Sequence, residues 1–340
     1  MKRFIRAVAS LIVVVGAASA SAQDAPAHVT VYSGRDETQL KPVFERYTRE
    51  TGIEVRLHTE RRSSFAERLA TEGADTPADL LVIADVGNLW TVAERGLLRP
   101  VQSDALDRSV PSAFRDPEGR WYGLSRRERT IFYARDRVDP ATASSYEALA
   151  DPRWRGKLCL RTARQGYTQS LVAMLIAQHG SARAEQIVRG WVDNLATDVF
   201  TNDTVLLEAI AAGRCDVGIA NVYYYTGAVK QNPALAEQVK LLWADQGAGQ
   251  GGVHVNLSGA GVVRHAKNPE GARRLLEWMV SERAQADYVE GLYERPVNPA
   301  VEPDPVTQSW GRFTPDATNG AVLGARQAEA IKLLARTGYK

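Results

Sequence analysis

Cysteine and histidine are scarce in this 340-residue chain: two cysteines, Cys159 and Cys215, and five histidines, His28, His58, His179, His254 and His265. Neither cysteine has the spacing of a metal or redox motif, and the histidines show no paired zinc-ligand spacing, so a zinc site of thiolates or imidazoles is excluded. A Gly-x-Ser-x-Gly nucleophile turn is missing, and no two carboxylates stand out as acid and base, so the chain is not expected to be an enzyme. Gly247 to Gly252 matches the spacing of a dinucleotide-binding glycine motif, but a strand rather than a helix is expected after it, which makes it a loop. No later segment reaches the roughly 20 uncharged apolar residues of a membrane span. Repeats and low-complexity tracts are absent as well.

What is present begins with Lys2, Arg3 and Arg6, an apolar run from Ala7 to Ala18, and Ala20-Ser21-Ala22 before Gln23. This is the pattern of a secretory signal peptide over residues 1–22, with a mature chain starting at Gln23 and free in the periplasm, since no cysteine follows the small residues to carry a lipid. Setting those residues aside leaves 39 basic against 40 acidic residues, a balance that argues against nucleic acid as a partner. The remaining 318 residues exceed the roughly 250–300 at which a single core stops growing, so two lobes are expected. In an oxidising compartment Cys159 and Cys215 either pair or sit as two small buried hydrophobes.

Along the chain, His28 to Ser33 reads as a strand and Glu37 to Glu50 as a helix with Leu40, Val43, Phe44 and Tyr47 on one face. A strand from Ile53, a helix from Phe65 and a strand over Asp79 to Ala84 follow, the series of a parallel α/β sheet. A second series starts near Lys157, with helices over Thr168 to Gln178, Ala182 to Leu195 and Thr204 to Ala212 and a strand over Val217 to Ala220. Trp121 to Arg135 and Val253 to Val263 read as two strands that cross between the lobes. The helix from Glu270 to Tyr288 is expected to rejoin the first lobe, and Gly320 to Ala335 to form the last helix. Ligands bind in the cleft that such crossings leave.

Asn221-Val222-Tyr223-Tyr224-Tyr225 follows a buried strand and so falls at its carboxyl end, where clefts open. Neighbouring phenols converge only if the chain turns into a helix there; otherwise they form an aromatic platform. Tyr167 opens the helix that follows the first strand of the second series. Phenolate is a hard anionic donor, suited to ferric iron rather than to zinc or copper, and the helix N-terminus beside Tyr167 suits an anion. Arg126, Arg127 and Arg129 form the densest basic cluster, and strand alternation puts Arg127 and Arg129 on one face, where they either offset the charge of the site or join a salt-bridged hinge.

Several segments carry a resemblance: Val31-Tyr-Ser-Gly-Arg35, Trp121-Tyr-Gly-Leu124, Tyr167-Thr-Gln-Ser-Leu-Val172, Asn202-Asp-Thr204, Ala220-Asn-Val-Tyr-Tyr224 and His254-Val-Asn-Leu-Ser-Gly259. With these, the chain resembles the periplasmic ferric-ion-binding proteins of bacterial and cyanobacterial ABC importers, along its whole length. The resemblance implies a type II two-lobed α/β fold, each lobe a mainly parallel sheet flanked by helices, joined by two crossing strands. Residues 23–125 with 255–300 would form lobe 1, and 126–254 with 301–340 lobe 2. It implies Tyr167, Tyr223 and Tyr224 as ligands of Fe(III), with Tyr225 structural, and a monomer that delivers its cargo to an importer permease and ATPase. Arg127, Arg129, Asn202 and Asn221 would surround the metal or its synergistic anion (carbonate, phosphate or citrate). The chain departs from the pattern after Arg35. Where many relatives carry His or His-Tyr, it has Asp36-Glu37, so either these carboxylates are the first-lobe ligands or Asp36 merely caps the helix. A small organic ion in a tyrosine-lined cleft is the competing cargo.

Overall fold

The computed structural model describes residues 28–60 and 65–340; the expected signal peptide and its cleavage site lie outside them. Nine strands form one continuous sheet: β1 (His28–Ser33), β2 (Glu54–Thr59), β3 (Leu80–Ala84), β4 (Tyr122–Ala134), β5 (Leu158–Cys159), β6 (Val217–Asn221), β7 (Val239–Leu242), β8 (His254–Val262) and β9 (Arg295–Pro296). The main path runs β2-β1-β3-β8-β4-β6-β5, with β7 and β9 both on β4. Strands β1 to β3 are parallel to one another, as are β5 and β6. The two long crossing strands, β4 and β8, run antiparallel to each other and to their outer neighbours β6 and β3. Each lobe thus has its own parallel set, and every antiparallel pairing between the named strands involves β4 or β8.

The helices are α1 (Glu37–Thr51), α2 (Phe65–Glu72), α3 (Val86–Glu94), α4 (Asp104–Ser109), α5 (Gly166–His179), α6 (Ser181–Asp193), α7 (Asp203–Ala211), α8 (Val222–Gln231), α9 (Leu235–Gln238), α10 (Pro269–Met279), α11 (Glu282–Val289), α12 (Pro305–Ser309) and α13 (Gly320–Arg336). Helix α1 buries the four residues its periodicity marks and ends at Gly52, whose left-handed φ of 74° turns its N–H back onto the Thr48 carbonyl. The expected helix from Glu270 to Tyr288 is two helices instead. The break falls at Val280–Ser281, where the Ser281 hydroxyl accepts from the Ala284 amide and starts α11 afresh.

Helix α5 is apolar nearly all round, with Leu171 to Ile176 buried, and so lies inside the molecule rather than on it. The last helix, α13, packs along both α5 and α3 and so ties elements of the two lobes together. In the second lobe Cys159 and Cys215 are joined in a disulfide with Cα atoms 5.9 Å apart, which resolves their two readings in favour of the pair. None of the described helices is long and apolar enough to cross a membrane.

Candidate metal centre

Strand β6 passes into α8 without a loop, so Tyr223 and Tyr224 occupy the first helical turn. Successive residues on a helix are about 100° apart, so two neighbours share the cleft side while the third turns inward. Tyr223 and Tyr224 are half-buried with ring centroids 4.4 Å apart, whereas Tyr225 is wholly buried and donates to the Val239 carbonyl at 2.6 Å. Tyr167, the second residue of α5, is buried, and its hydroxyl finds no hydrogen-bond partner among the described residues. Helix starts and crossing strands therefore gather the three phenols expected from the sequence, with the guanidinium of Arg161 facing the rings of Tyr167 at 4.9 Å and Tyr224 at 5.4 Å.

The Tyr223 hydroxyl accepts from Arg127 Nη2 at 2.6 Å and from Asn221 Nδ2 at 3.0 Å. Arg129 lies beneath, stacked on the Tyr167 ring at 5.1 Å, and donates to Asp203, Asn221 and the Ile219 carbonyl. Asn202 has a different occupation: its side chain caps α7 by accepting from the Thr204 amide at 2.6 Å. Of the acidic pair after Arg35, Asp36 caps α1 and also lines the cleft cavity of about 470 Å³ shared with Arg35, Arg127, Tyr223 and Tyr224. Glu37 is exposed one residue further and borders a separate groove with Lys41 and Arg49. The structure therefore brings Asp36 to the cavity of the tyrosines and leaves Glu37 outside it.

Burial pushes the Tyr167 hydroxyl up, and the Asp203 carboxylate adds to it. Burial also raises Tyr223, although Arg127 pulls the other way. At Tyr224 burial is outweighed by the hydrogen bond and charge of Arg161, and this phenol falls below its ordinary value. A cation that binds here must displace protons, and Tyr224 gives its proton up most readily.

Three residues of the site, Arg161, Asp203 and Glu294, were not singled out from sequence. Arg161 and Asp203 form an ion pair at 3.6 Å, and the buried Asp203 also takes bonds from Arg129 at 3.1 Å and the Asn221 amide at 3.0 Å. Glu294 is buried between Arg35 at 3.0 Å and Arg127 at 3.2 Å and also accepts from Ser125. Burial opposes its charge, but the two guanidinium groups hold its carboxyl below the usual range. Arg161 stands two residues after the end of β5, a position that could have marked it; Glu294 lies in an irregular segment with no such signal.

Four guanidinium groups, Arg35, Arg127, Arg129 and Arg161, thus meet two carboxylates, Asp203 and Glu294, around three phenols. Guanidinium groups set against all three rings favour phenolate and any further anion in the cleft. Among the described residues no three His, Cys, Asp or Glu side chains converge as a metal site, so the phenols are the donor set on offer.

Residues 43–315 match the family described as bacterial extracellular solute-binding protein. "Iron uptake protein A2" of Synechocystis is 39% identical over 316 residues, covering 92% of this chain and 90% of that one. The "Major ferric iron-binding protein" of Neisseria meningitidis is 25% identical over 295 residues, covering 84% of this chain and 86% of its own. Among solved structures, a Trichodesmium protein in complex with iron and citrate superposes with a TM-score of 0.87 at 38% identity, covering 92% of this chain and all of that one.

Proposed function

Because the chain belongs to the bacterial extracellular solute-binding protein family, we propose that it captures ferric iron in the periplasm on Tyr167, Tyr223 and Tyr224 and delivers it to an ABC importer. One observation carries this reading: the rings of all three phenols face guanidinium groups, Arg127 over Tyr223, Arg129 and Arg161 over Tyr167, and Arg161 over Tyr224. Three phenolates cancel the charge of Fe(III), and the arginines beside them suit a second anion such as carbonate, phosphate or citrate. The names of the relatives and the iron and citrate of the Trichodesmium complex support the same cargo.

Residues 23–125 with 255–300 form the first lobe in this reading and 126–254 with 301–340 the second, supported by β4, which pairs with β6 and β7 only from Arg129 onward. Asp36 reaches the cleft from the first lobe. Arg127, Arg129 and Asn221 hold the phenols, Asn202 serves its helix, and the permease and its ATPase receive the ion from a monomer. A small organic cation is disfavoured, because the chain's own guanidinium groups already face all three rings.

The test is to add ferric citrate to the purified protein and record the visible spectrum. A ferric-phenolate charge-transfer band that weakens in Tyr223→Phe is expected. A folded protein that stays colourless would overturn the reading.

A further inference from the structure

Helix α5 carries Tyr167 in its first turn, yet its own N-cap residue, Gln165, makes no side-chain capping bond. The first amides of a helix have no partner within it and need one from outside. What stands at this end is Asp85, a residue of the other lobe's strand-to-helix turn. A methyl group at Gly166 would sit 2.5 Å from Asp85 Oδ2, so the carboxylate lies against the first residue of α5 at a distance that only glycine tolerates.

Asp85 is held there by unusual means. Its backbone has a left-handed φ of 81°, which is costly for a residue other than glycine, and its side chain is buried. Oδ1 accepts from the Gly87 amide at 3.0 Å and Oδ2 from Asn256 Nδ2 at 2.7 Å, while Asn256 Oδ1 accepts from the Val86 amide at 2.9 Å. The carboxylate thus caps α3 and is anchored to crossing strand β8, with its second oxygen turned toward α5. Burial pushes its carboxyl up, and Asn256, Arg127 and the amides of α3 pull against that. A helix N-terminus beside it offsets the same cost.

We propose that Asp85 is a positioning residue for the metal centre, a charge cap that the first lobe sets in contact with the N-terminus of the ligand-bearing helix α5 of the second, without a hydrogen bond to its amides, through which it fixes the pose of Tyr167. This rests on the ferric reading for its consequence, but not for its geometry. The first lobe then acts on the site by seating a phenol, beside any ligation through Asp36. Gly166 is required because a side chain there would separate carboxylate and helix.

Two variants test it: Asp85→Asn, which keeps the shape and removes the charge, and Gly166→Ala, whose methyl forces the Asp85 carboxylate away from the start of α5. Hydrogen exchange of the apo-protein reads the cap without iron: peptides covering residues 164–170 should lose at least about tenfold protection in both variants. Unchanged protection there in both overturns the proposal, whether or not the protein binds iron. With iron added, both variants should weaken binding about tenfold and change the ferric electron paramagnetic resonance signal. Neither change should grow when Tyr167→Phe is combined with either variant. Effects that add fully to Tyr167→Phe would show that Asp85 does not act through Tyr167 and overturn the proposal. A wild-type protein that gives no ferric signal, with the exchange difference intact, overturns the ferric reading alone.

Discussion

Arg127 donates from Nη2 to the Tyr223 hydroxyl at 2.6 Å while its Nε lies 3.2 Å from Glu294, so one guanidinium is shared between a cleft phenol and a buried carboxylate. The bond to Tyr223 strengthens when the phenol ionises, because the acceptor gains charge. Removing it in Arg127→Gln costs the phenolate a charge-assisted bond of about 1.5–3 kcal/mol, or roughly ten- to a hundredfold in ferric affinity. Competition with a chelator measures this. The pH at which half the iron is released should also rise, since the phenol is then harder to deprotonate and protons compete sooner. Glu294 keeps Arg35 as its partner, so the fold should survive.

Tyr225 offers the matching control. Its ring is buried against Phe132 and Trp310, and its hydroxyl is committed to the Val239 carbonyl. Tyr225→Phe should therefore keep the full charge-transfer band and lose about 1 kcal/mol of stability in denaturant unfolding. A weakened band with unchanged stability would move Tyr225 into the donor set.

Asp36 serves α1 and the cleft at once. Serine caps helices nearly as well as aspartate but brings no charge. Asp36→Ser should leave the melting temperature unchanged while lowering ferric affinity about tenfold, roughly the 1.4 kcal/mol that one decade represents. If the affinity is unchanged, Asp36 acts at the helix alone.

Asp245 sits apart from the site, buried in the loop before β8, and its carboxyl is pushed up to about 7 by burial, with Glu147 and Asp316 adding to it and the Tyr146 amide opposing. A carboxyl raised in the folded state binds a proton there that the unfolded chain has lost. Its contribution is therefore most favourable at acid pH, falls as pH rises from about 4, and is gone above about 7. Asp245→Asn removes this dependence, so the variant should melt higher than the parent at pH 8 and gain little at pH 4.5. Calorimetry at the two pH values reads the difference, and equal shifts at both would show that another group governs it.

The elements that build the site were legible because local rules position them. A continuous apolar strand ending at Ala220 put Tyr223 and Tyr224 at its carboxyl end, with a turn into a helix as the condition for their convergence, and a helix following a strand put Tyr167 at a helix start. Arg127 and Arg129 were legible from strand alternation. What escaped is what only the crossing of lobes creates. Glu294 is 167 positions from Arg127 and meets it through the pairing of β9 with β4. Asp85 caps α3 in the structure, and nothing local in the sequence shows that its second oxygen lies against Gly166. The helix break at Ser281 was missed because apolar periodicity continues through it, while a single capping hydroxyl decides the boundary.

Strands β4 and β8 stay paired to each other from Tyr122 to Arg129, straight through the junction of the lobes. Opening the cleft therefore cannot unzip an edge or stretch a slack tether. It must wind or unwind the twist of a ribbon whose amides remain bonded, with α13 lying along α3 and α5 as a splint. Such a joint behaves as a torsion spring. A rotation of one lobe against the other would meet a restoring torque from this ribbon rather than the freedom of a swinging arm.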